Sequence, residues 1–302
     1  MKNKKMFLCF AFVFALNTMA GQDLLGILDE EQKDTPQYTL ATFKFSRIAF
    51  GHSIETRKKG MLDVFVANRF WNTPADRSQS FVADHLSSRF ALEYGISDRL
   101  LLGFGGTTFD GLFDGFLKYK LVRQRNDKKG SPLSISFLQS ASYFSEAQVL
   151  PIIQDDLSDR LSFTSQLLIA KKITHNFSLQ ATPTFVHRGL VFSEEDPQNH
   201  FAIGFGGRYK MGNHVSVVSE YYYTTNPIKS FDTYSPFAIG VNWELGDVML
   251  QFMLTNAVRM VEDSFITQTR NNFNFRNPNL NFGFNMTYIF HFKRGLKNNF
   301  EN

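Results

Sequence analysis

The chain has 302 residues, enough for one large β-barrel or two ordinary globular domains, and 34 of them are Phe. Its formal charge of +4 belongs mostly to the first few residues: the 32 basic side chains fall to 29 once Lys2, Lys4 and Lys5 are set aside, against 28 acidic ones. No nucleic-acid partner is therefore expected. The single cysteine, Cys9, sits in the same leader, so disulfides, thiolate metal sites and a cysteine nucleophile are excluded from the rest.

The leader has three lysines, an apolar run over residues 6–16, and small residues ending at Ala20. It reads as a secretory signal peptide over residues 1–20, cleaved after Ala20. Its apolar core is too short to cross a bilayer, and no later stretch is long and apolar enough for a transmembrane helix. Aromatics at 15% with a slightly negative mean hydropathy suit a membrane β-barrel, whose strands are only half apolar.

Residues 21–59 form an N-terminal periplasmic or plug segment. Leu24, Leu25, Ile27 and Leu28 lie beside Asp23, Asp29, Glu30 and Glu31, the pattern of a short amphipathic helix, of a plug, or of a loosely ordered terminus. Residues 43–59 carry Arg47, His52, Glu55, Arg57, Lys58 and Lys59. They are too polar to face lipid and are expected in the lumen or at the periplasmic rim.

The strand series follows. Residues 61–70 set Leu62, Val64 and Val66 opposite Asp63 and Arg69. Residues 89–96 alternate Phe90, Leu92 and Tyr94 with Arg89 and Glu93, and the tight turn at Ser97-Asp98 leads to residues 100–104. Residues 116–122 set Leu117, Tyr119 and Leu121 against Lys118 and Lys120. Residues 133–143, 161–171 and 177–186 continue the period of two, but Pro183 lacks an N–H, so a bulge or lost pairing is expected there.

Residues 202–210, 215–223 and 237–243 give the clearest alternation, Ile203, Phe205 and Tyr209 against Arg208 and Lys210, then Tyr221 and Tyr223 against Glu220, then Val241 and Trp243 against Glu244. Residues 248–254 follow a tight turn at Leu245-Gly246-Asp247, residues 255–278 read as a long polar loop, and residues 280–292 close the series. The fold class is all-β, a transmembrane antiparallel up-and-down barrel of about 12 strands over residues 60–292, with a polar C-terminal tail at 293–302. Short turns at one end and long loops at the other point the same way. A soluble sheet leaves open edges and buries Val, Ile and Leu rather than Phe and Tyr.

Several segments carry a family resemblance. They are Ser46-Arg47-Ile48 with Gly51-His52-Ser53-Ile54-Glu55, Gly60-Met61-Leu62-Asp63 with Arg69-Phe70, and Leu92-Glu93-Tyr94-Gly95-Ile96-Ser97-Asp98-Arg99-Leu100. Asp114-Gly115-Phe116-Leu117-Lys118-Tyr119-Lys120-Leu121, Thr182-Pro183-Thr184-Phe185 and Glu220-Tyr221-Tyr222-Tyr223 extend it. As an ordered set the chain resembles a recurrent family of outer-membrane β-barrel proteins of Bacteroidetes-type bacteria. The resemblance implies a barrel and an outer-membrane address, without a substrate or a reaction. Asn68 stands where the family pattern carries His, which argues against a histidine site there.

The candidate site is a charged lumen formed by Asp63, Arg69, Arg89, Glu93, Lys118, Lys120, Arg208, Lys210, Glu220 and Glu244. It either selects a small solute or braces a narrow interior through paired charges. No catalytic residue, metal ligand or cofactor is expected. The histidines, among them His52, His187 and His200, show no ligand spacing. His52-Ser53 invites comparison with a lipid-hydrolase pair but reads as rim hydrogen bonding. The glycines at 103–106 lack the helix and lysine of a phosphate cradle. The expected partners are outer-membrane lipid and a periplasmic or surface protein that docks on the long loops or the N-terminal segment.

Overall fold

The computed structural model describes residues 37–72, 83–127, 130–145, 156–189, 191–273 and 279–292. The expected signal peptide at residues 1–20, residues 21–36 and the tail at 293–302 lie outside the described residues. Twelve antiparallel strands close into one barrel. They are β1 (Met61–Trp71), β2 (His85–Ser97), β3 (Leu100–Thr107), β4 (Leu112–Val122), β5 (Ser134–Phe144) and β6 (Leu161–Lys172). They continue with β7 (Phe177–Arg188), β8 (Asn199–Lys210), β9 (Val215–Thr224), β10 (Phe237–Leu245), β11 (Val248–Thr255) and β12 (Asn281–His291). A four-residue helix, α1 (Leu157–Arg160), precedes β6, and α2 (Glu262–Thr267) lies between β11 and β12.

Each strand pairs with its sequence neighbours, and β1 pairs with β12 from Met61 with His291 to Phe70 with Phe282. Closure leaves no sheet edge, which is what lipid demands of a backbone that cannot bond to water. The period of two sorts the faces. Phe90, Leu92, Phe104, Phe113, Tyr119, Phe201, Phe205, Trp243 and Phe290 point outward and are exposed. Such an apolar surface has no place in water and fits a lipid shell. The residues between them, including Arg89, Glu93, Asp114 and Lys118, are buried.

Short connections join β2 to β3, β6 to β7, β8 to β9 and β10 to β11, whereas β5–β6, β7–β8, β9–β10 and β11–β12 are joined by longer ones. In the β10–β11 hairpin Leu245 pairs directly with Val248, and Gly246 takes a φ of 64°, where a side chain would be strained. Pro183 leaves a gap in the ladder. The β6–β7 register is the same on both sides of it, but pairing stops after Gln166 with Thr184 and resumes at Ile169 with Ala181. On its other side Pro183 pairs in register with Ile203 of β8.

The lumen is filled. Residues 43–54 are buried except Lys44, and they lack helix or strand. The chain enters at the short-turn end and turns back near Gly51, where Ile48 N–H donates to the Gly51 carbonyl and Ser53 N–H to that of Ser46. The connection 256–269, expected as a polar loop, folds inward from the opposite end and is largely buried. Ala257, Met260, Val261, Phe265 and Ile266 are its apolar residues, and the polar composition around them had concealed this inward face. The two fillings meet where Phe50, Phe265 and Tyr222 pack ring against ring, Phe50 and Phe265 with centroids 4.7 Å apart. A separate small unit includes Tyr38 and residues 125–127, in which Tyr38 bridges to Arg125 and Arg125 pairs with Asp127.

Candidate functional site

The inner segment has no regular structure, so its backbone groups need partners from elsewhere. The wall supplies them. Glu220 on β9 accepts the amides of Ala49, Phe50 and Gly51 on one carboxylate oxygen at 3.1, 3.0 and 3.0 Å. Three successive N–H groups converging on a carboxylate form a strong charge-assisted arrangement. Gly51 is required there because a Cβ would strike the Glu220 carboxylate and the Tyr222 hydroxyl.

Lys118 on β4 donates to the carbonyls of Ser46 and Ser53, each at 3.1 Å, and so clamps both limbs of the turn. Gln180 donates to His52 O at 2.8 Å, Gln251 to Ile48 O at 2.9 Å, Asn285 to Ala49 O at 3.0 Å and Ser136 to Ile54 O at 3.1 Å. These donors come from β7, β11, β12 and β5, so the segment is held from all around the barrel.

Side-chain pairs add to this. Near the short-turn end Lys120 meets Glu55 at 2.9 Å, Lys44 meets Glu244 at 2.6 Å, and Arg57 pairs with Asp63. Deeper, Arg47 lies 3.1 Å from Glu262 and 3.5 Å from Glu93, with its guanidinium over the Phe65 ring. His52 Nε2 is 3.2 Å from Glu262, and its ring packs edge-on against Phe116 at 4.3 Å. Asp263 accepts a hydrogen bond from Ser142 at 3.0 Å, and Arg188 donates to Thr267 at 2.7 Å, which fixes α2 to β5 and β7.

Burial pushes the His52 imidazole down, and Arg47 reinforces this, to about 4, so the ring is uncharged at neutral pH. Burial works against the Glu262 charge, but His52, once protonated in acid, and Arg47 outweigh it and hold the carboxyl well below the usual carboxylate range. With His52 neutral, Arg47 is the standing counter-ion.

Each residue singled out from the sequence can now be located. Asp63, Arg69, Arg89, Glu93, Lys118, Arg208, Glu220 and Glu244 are buried on the inner face, and Lys120 and Lys210 are half-buried near the short-turn end. Six of the ten contact the inner segment: Asp63, Glu93, Lys118, Lys120, Glu220 and Glu244. Arg89 instead pairs with Asp114 within the wall, at 3.1 Å from Nε, and Arg208 lies 3.4 Å from Glu244. Arg69 donates to Asn285 Oδ1 at 2.8 Å and to its neighbour Asn68 O at 2.9 Å. Among the described residues the Lys210 ammonium makes no ion pair.

Other contributors escaped the sequence reading. Asp114 shares the phase of Phe116 and Lys118, and carrying the alternation two residues further back finds it. Gln180, Gln251 and Asn285 likewise sit at inward phases. Glu262 gives no local signal, because its role depends on a loop folding inward. His52 and Ser53 are not at the rim: both are fully buried, and Ser53 donates to the Phe45 carbonyl, so neither meets lipid.

At the long-loop end three connections are tied together. Asp196 accepts the amides of Lys229 and Ser230, each at 2.9 Å, and the Ser230 hydroxyl at 2.7 Å, while Tyr234 N–H donates to Thr269 O at 2.8 Å. Arg270 lies over Phe231 at 4.0 Å. An open surface cavity of about 370 Å³ lies at the short-turn rim beside Lys59, Asp98, Arg99 and Tyr119.

Comparison with known proteins adds the following. The family described as membrane-bound beta barrel domain (DUF5777) matches residues 43–290. The KdgM porin is similar at 10% identity and a TM-score of 0.47, covering 76% of this chain and 99% of that one. The NanC porin is similar at 10% identity and 0.46, covering 76% and 98%. The OmpF of Salmonella typhi, in complex with daunomycin, is similar at 8% identity and 0.38, covering 76% and 97%. At these scores the likenesses say nothing about what this chain carries. No curated protein matches.

Proposed function

The chain belongs to this family of membrane-bound β-barrel domains, and from that premise we propose that it is a non-enzymatic outer-membrane barrel held closed by its own N-terminal segment. In this reading residues 1–20 direct export, the short turns face the periplasm and the long connections face outward. Residues 43–57 act as a fixed plug. The barrel serves as a structural or partner-docking element that presents its outer loops and the chain preceding the plug.

The observation that carries this reading is where the wall charges point. A selective pore needs charges that meet solute. Here Lys118 is spent on two plug carbonyls and Glu220 on three plug amides, while Asp63, Glu93, Lys120 and Glu244 each meet a basic or acidic side chain of the plug. Single-channel recording of the refolded mature protein in a planar bilayer tests it. Folded barrels that stay electrically silent are expected. Discrete conductance steps whose ion selectivity changes when Lys118 and Lys120 are replaced by Glu would overturn it.

A second reading, passage of a small solute through a charged lumen, is favoured by the same pairing seen from the other side. Withdrawing residues 43–57 would strip these wall charges of their partners and leave a charged channel. Glu220→Ala loosens the plug without removing it. If folded Glu220→Ala barrels never conduct, gated passage loses its support.

A further inference from the structure

A buried charge without a counter-charge is expensive, and most guanidinium groups in this lumen have one. Arg47, Arg57, Arg89 and Arg208 pair with Glu262, Asp63, Asp114 and Glu244. Arg69 does not. It is 2% exposed, and among the described residues no carboxylate pairs with it. Both of its hydrogen bonds leave from Nη1, to a neutral amide oxygen and to a main-chain carbonyl. A guanidinium has five N–H donors in a planar fork. Those of Nε and Nη2 have no hydrogen-bond acceptor among the described residues.

Further hydrogen-bond donors stand on the wall beside Arg69. Arg69 pairs across the ladder with Ser87 of β2 on one side and Gly283 of β12 on the other. Directly opposed residues on one face stand about 5 Å apart. Ser87 is 2% exposed, and its hydroxyl makes no hydrogen bond among the described residues. Gly283 leaves room for the arginine stem: a Cβ there would come within 3.1 Å of Nη1. Two residues along the same inner face, Asn281 is buried and its Nδ2 has no partner. A diagonal neighbour of this kind lies roughly 7–8 Å away.

We propose that Arg69, Ser87 and Asn281 form a binding site for one small oxyanion, a carboxylate or phosphate group, at the long-loop end of the lumen. The planar fork accepts two oxygens of such a group side by side, and the hydroxyl and amide complete the set. The anion neutralises the guanidinium and satisfies donors that the protein leaves open, removing the penalty of an uncompensated buried cation. All three residues lie toward the ends of β1, β2 and β12 on the long-loop side, which places the proposed site at that end of the lumen. It does not require the plug to move, and it stands whether the barrel conducts or not.

The test uses the full mature chain refolded in detergent, with heat-induced loss of the folded barrel followed by electrophoretic mobility. Inorganic phosphate and, separately, acetate are titrated against chloride at constant ionic strength. A saturable rise in the unfolding midpoint is expected for the wild type. Arg69→Met should weaken that response by about tenfold or more in half-saturating concentration. Asn281→Asp places a carboxylate of the protein's own beside Arg69. It should raise the midpoint without added anion and abolish the response. A wild type that does not respond, or an Arg69→Met protein that responds equally, overturns the proposal. If Arg69→Met does not fold, Asn281→Asp decides alone: an anion response as large as that of the wild type overturns it.

Discussion

The two segments that fill this barrel solve the same problem in opposite ways. Residues 256–269 enter from the long-loop end and build α2, so part of their backbone is satisfied internally, and they reach the wall mainly through side chains such as Asp263 and Thr267. Residues 43–57 enter from the short-turn end with neither helix nor strand. Their carbonyls and amides are therefore open, and the wall must answer them with Glu220, Lys118, Gln180, Gln251, Asn285 and Ser136. Irregular backbone can be buried only where something polar surrounds it. Much of the polarity of the lumen is thus the imprint of an irregular occupant, and a charged inner face by itself is no sign of a channel.

The sharpest way to break this contrast is Glu220→Ala. Three buried amides lose the carboxylate oxygen that accepts them, and unsatisfied buried donors cost ~1–3 kcal/mol each. Urea unfolding of the reconstituted barrel should show a loss of about 3 kcal/mol or more, and Glu220→Gln, which keeps an acceptor oxygen, a clearly smaller one. Next comes the seam between the two fillings. Glu262→Gln removes the charge facing Arg47, which keeps only Glu93 at 3.5 Å. A loss of ~2–4 kcal/mol is expected by the same measurement, because an under-compensated buried charge remains.

Acid should act on that seam too. The imidazole of His52 is held at about 4, below its ordinary 6.5. As pH falls the unfolded chain therefore takes up the proton first. The contribution of His52 is complete above pH 6.5 and is lost progressively down to about pH 4. One such group changes stability by up to ~3 kcal/mol across this window. Glu262, held low, acts in the same sense and loses its contribution at still lower pH. Unfolding midpoints measured from pH 7 to pH 4 should fall for the wild type, and His52→Gln should flatten the slope above pH 4. At the small end is Arg259, which meets Asp110 at 2.7 Å while its own side chain is 27% exposed. Arg259→Ala should cost less than about 1 kcal/mol, since partly solvated pairs contribute little. A larger loss there would show that the connection between β11 and β12 leans on surface charge more than on its buried residues.

The fold was legible because its signal is local and repeated. Phe90, Leu92 and Tyr94 against Arg89 and Glu93 need only the strand period to be sorted, and lipid enforces that period on every strand. Pro183 could be flagged because its missing N–H is a property of the residue itself. The candidate site was legible only by position. Lys118, Glu93 and Glu220 could be assigned to the inner face, but their partners could not, because Ser46, Arg47 and Ala49 lie between 46 and 171 residues away in sequence. His52 reads as a rim residue in the sequence, because nothing near it reveals a chain turning back at Gly51 inside a barrel.

By itself, then, the sequence determined the class, the strand number and the two faces, since alternation is written residue by residue and closure follows from a membrane that tolerates no open edge. Tertiary structure alone decided what occupies the lumen. A charge on the inner face is equally consistent with water, solute or backbone opposite it. Only the arrival of residues 43–57 from one end and 256–269 from the other turns those charges into partners of a buried chain and leaves Arg69 with no carboxylate partner among the described residues.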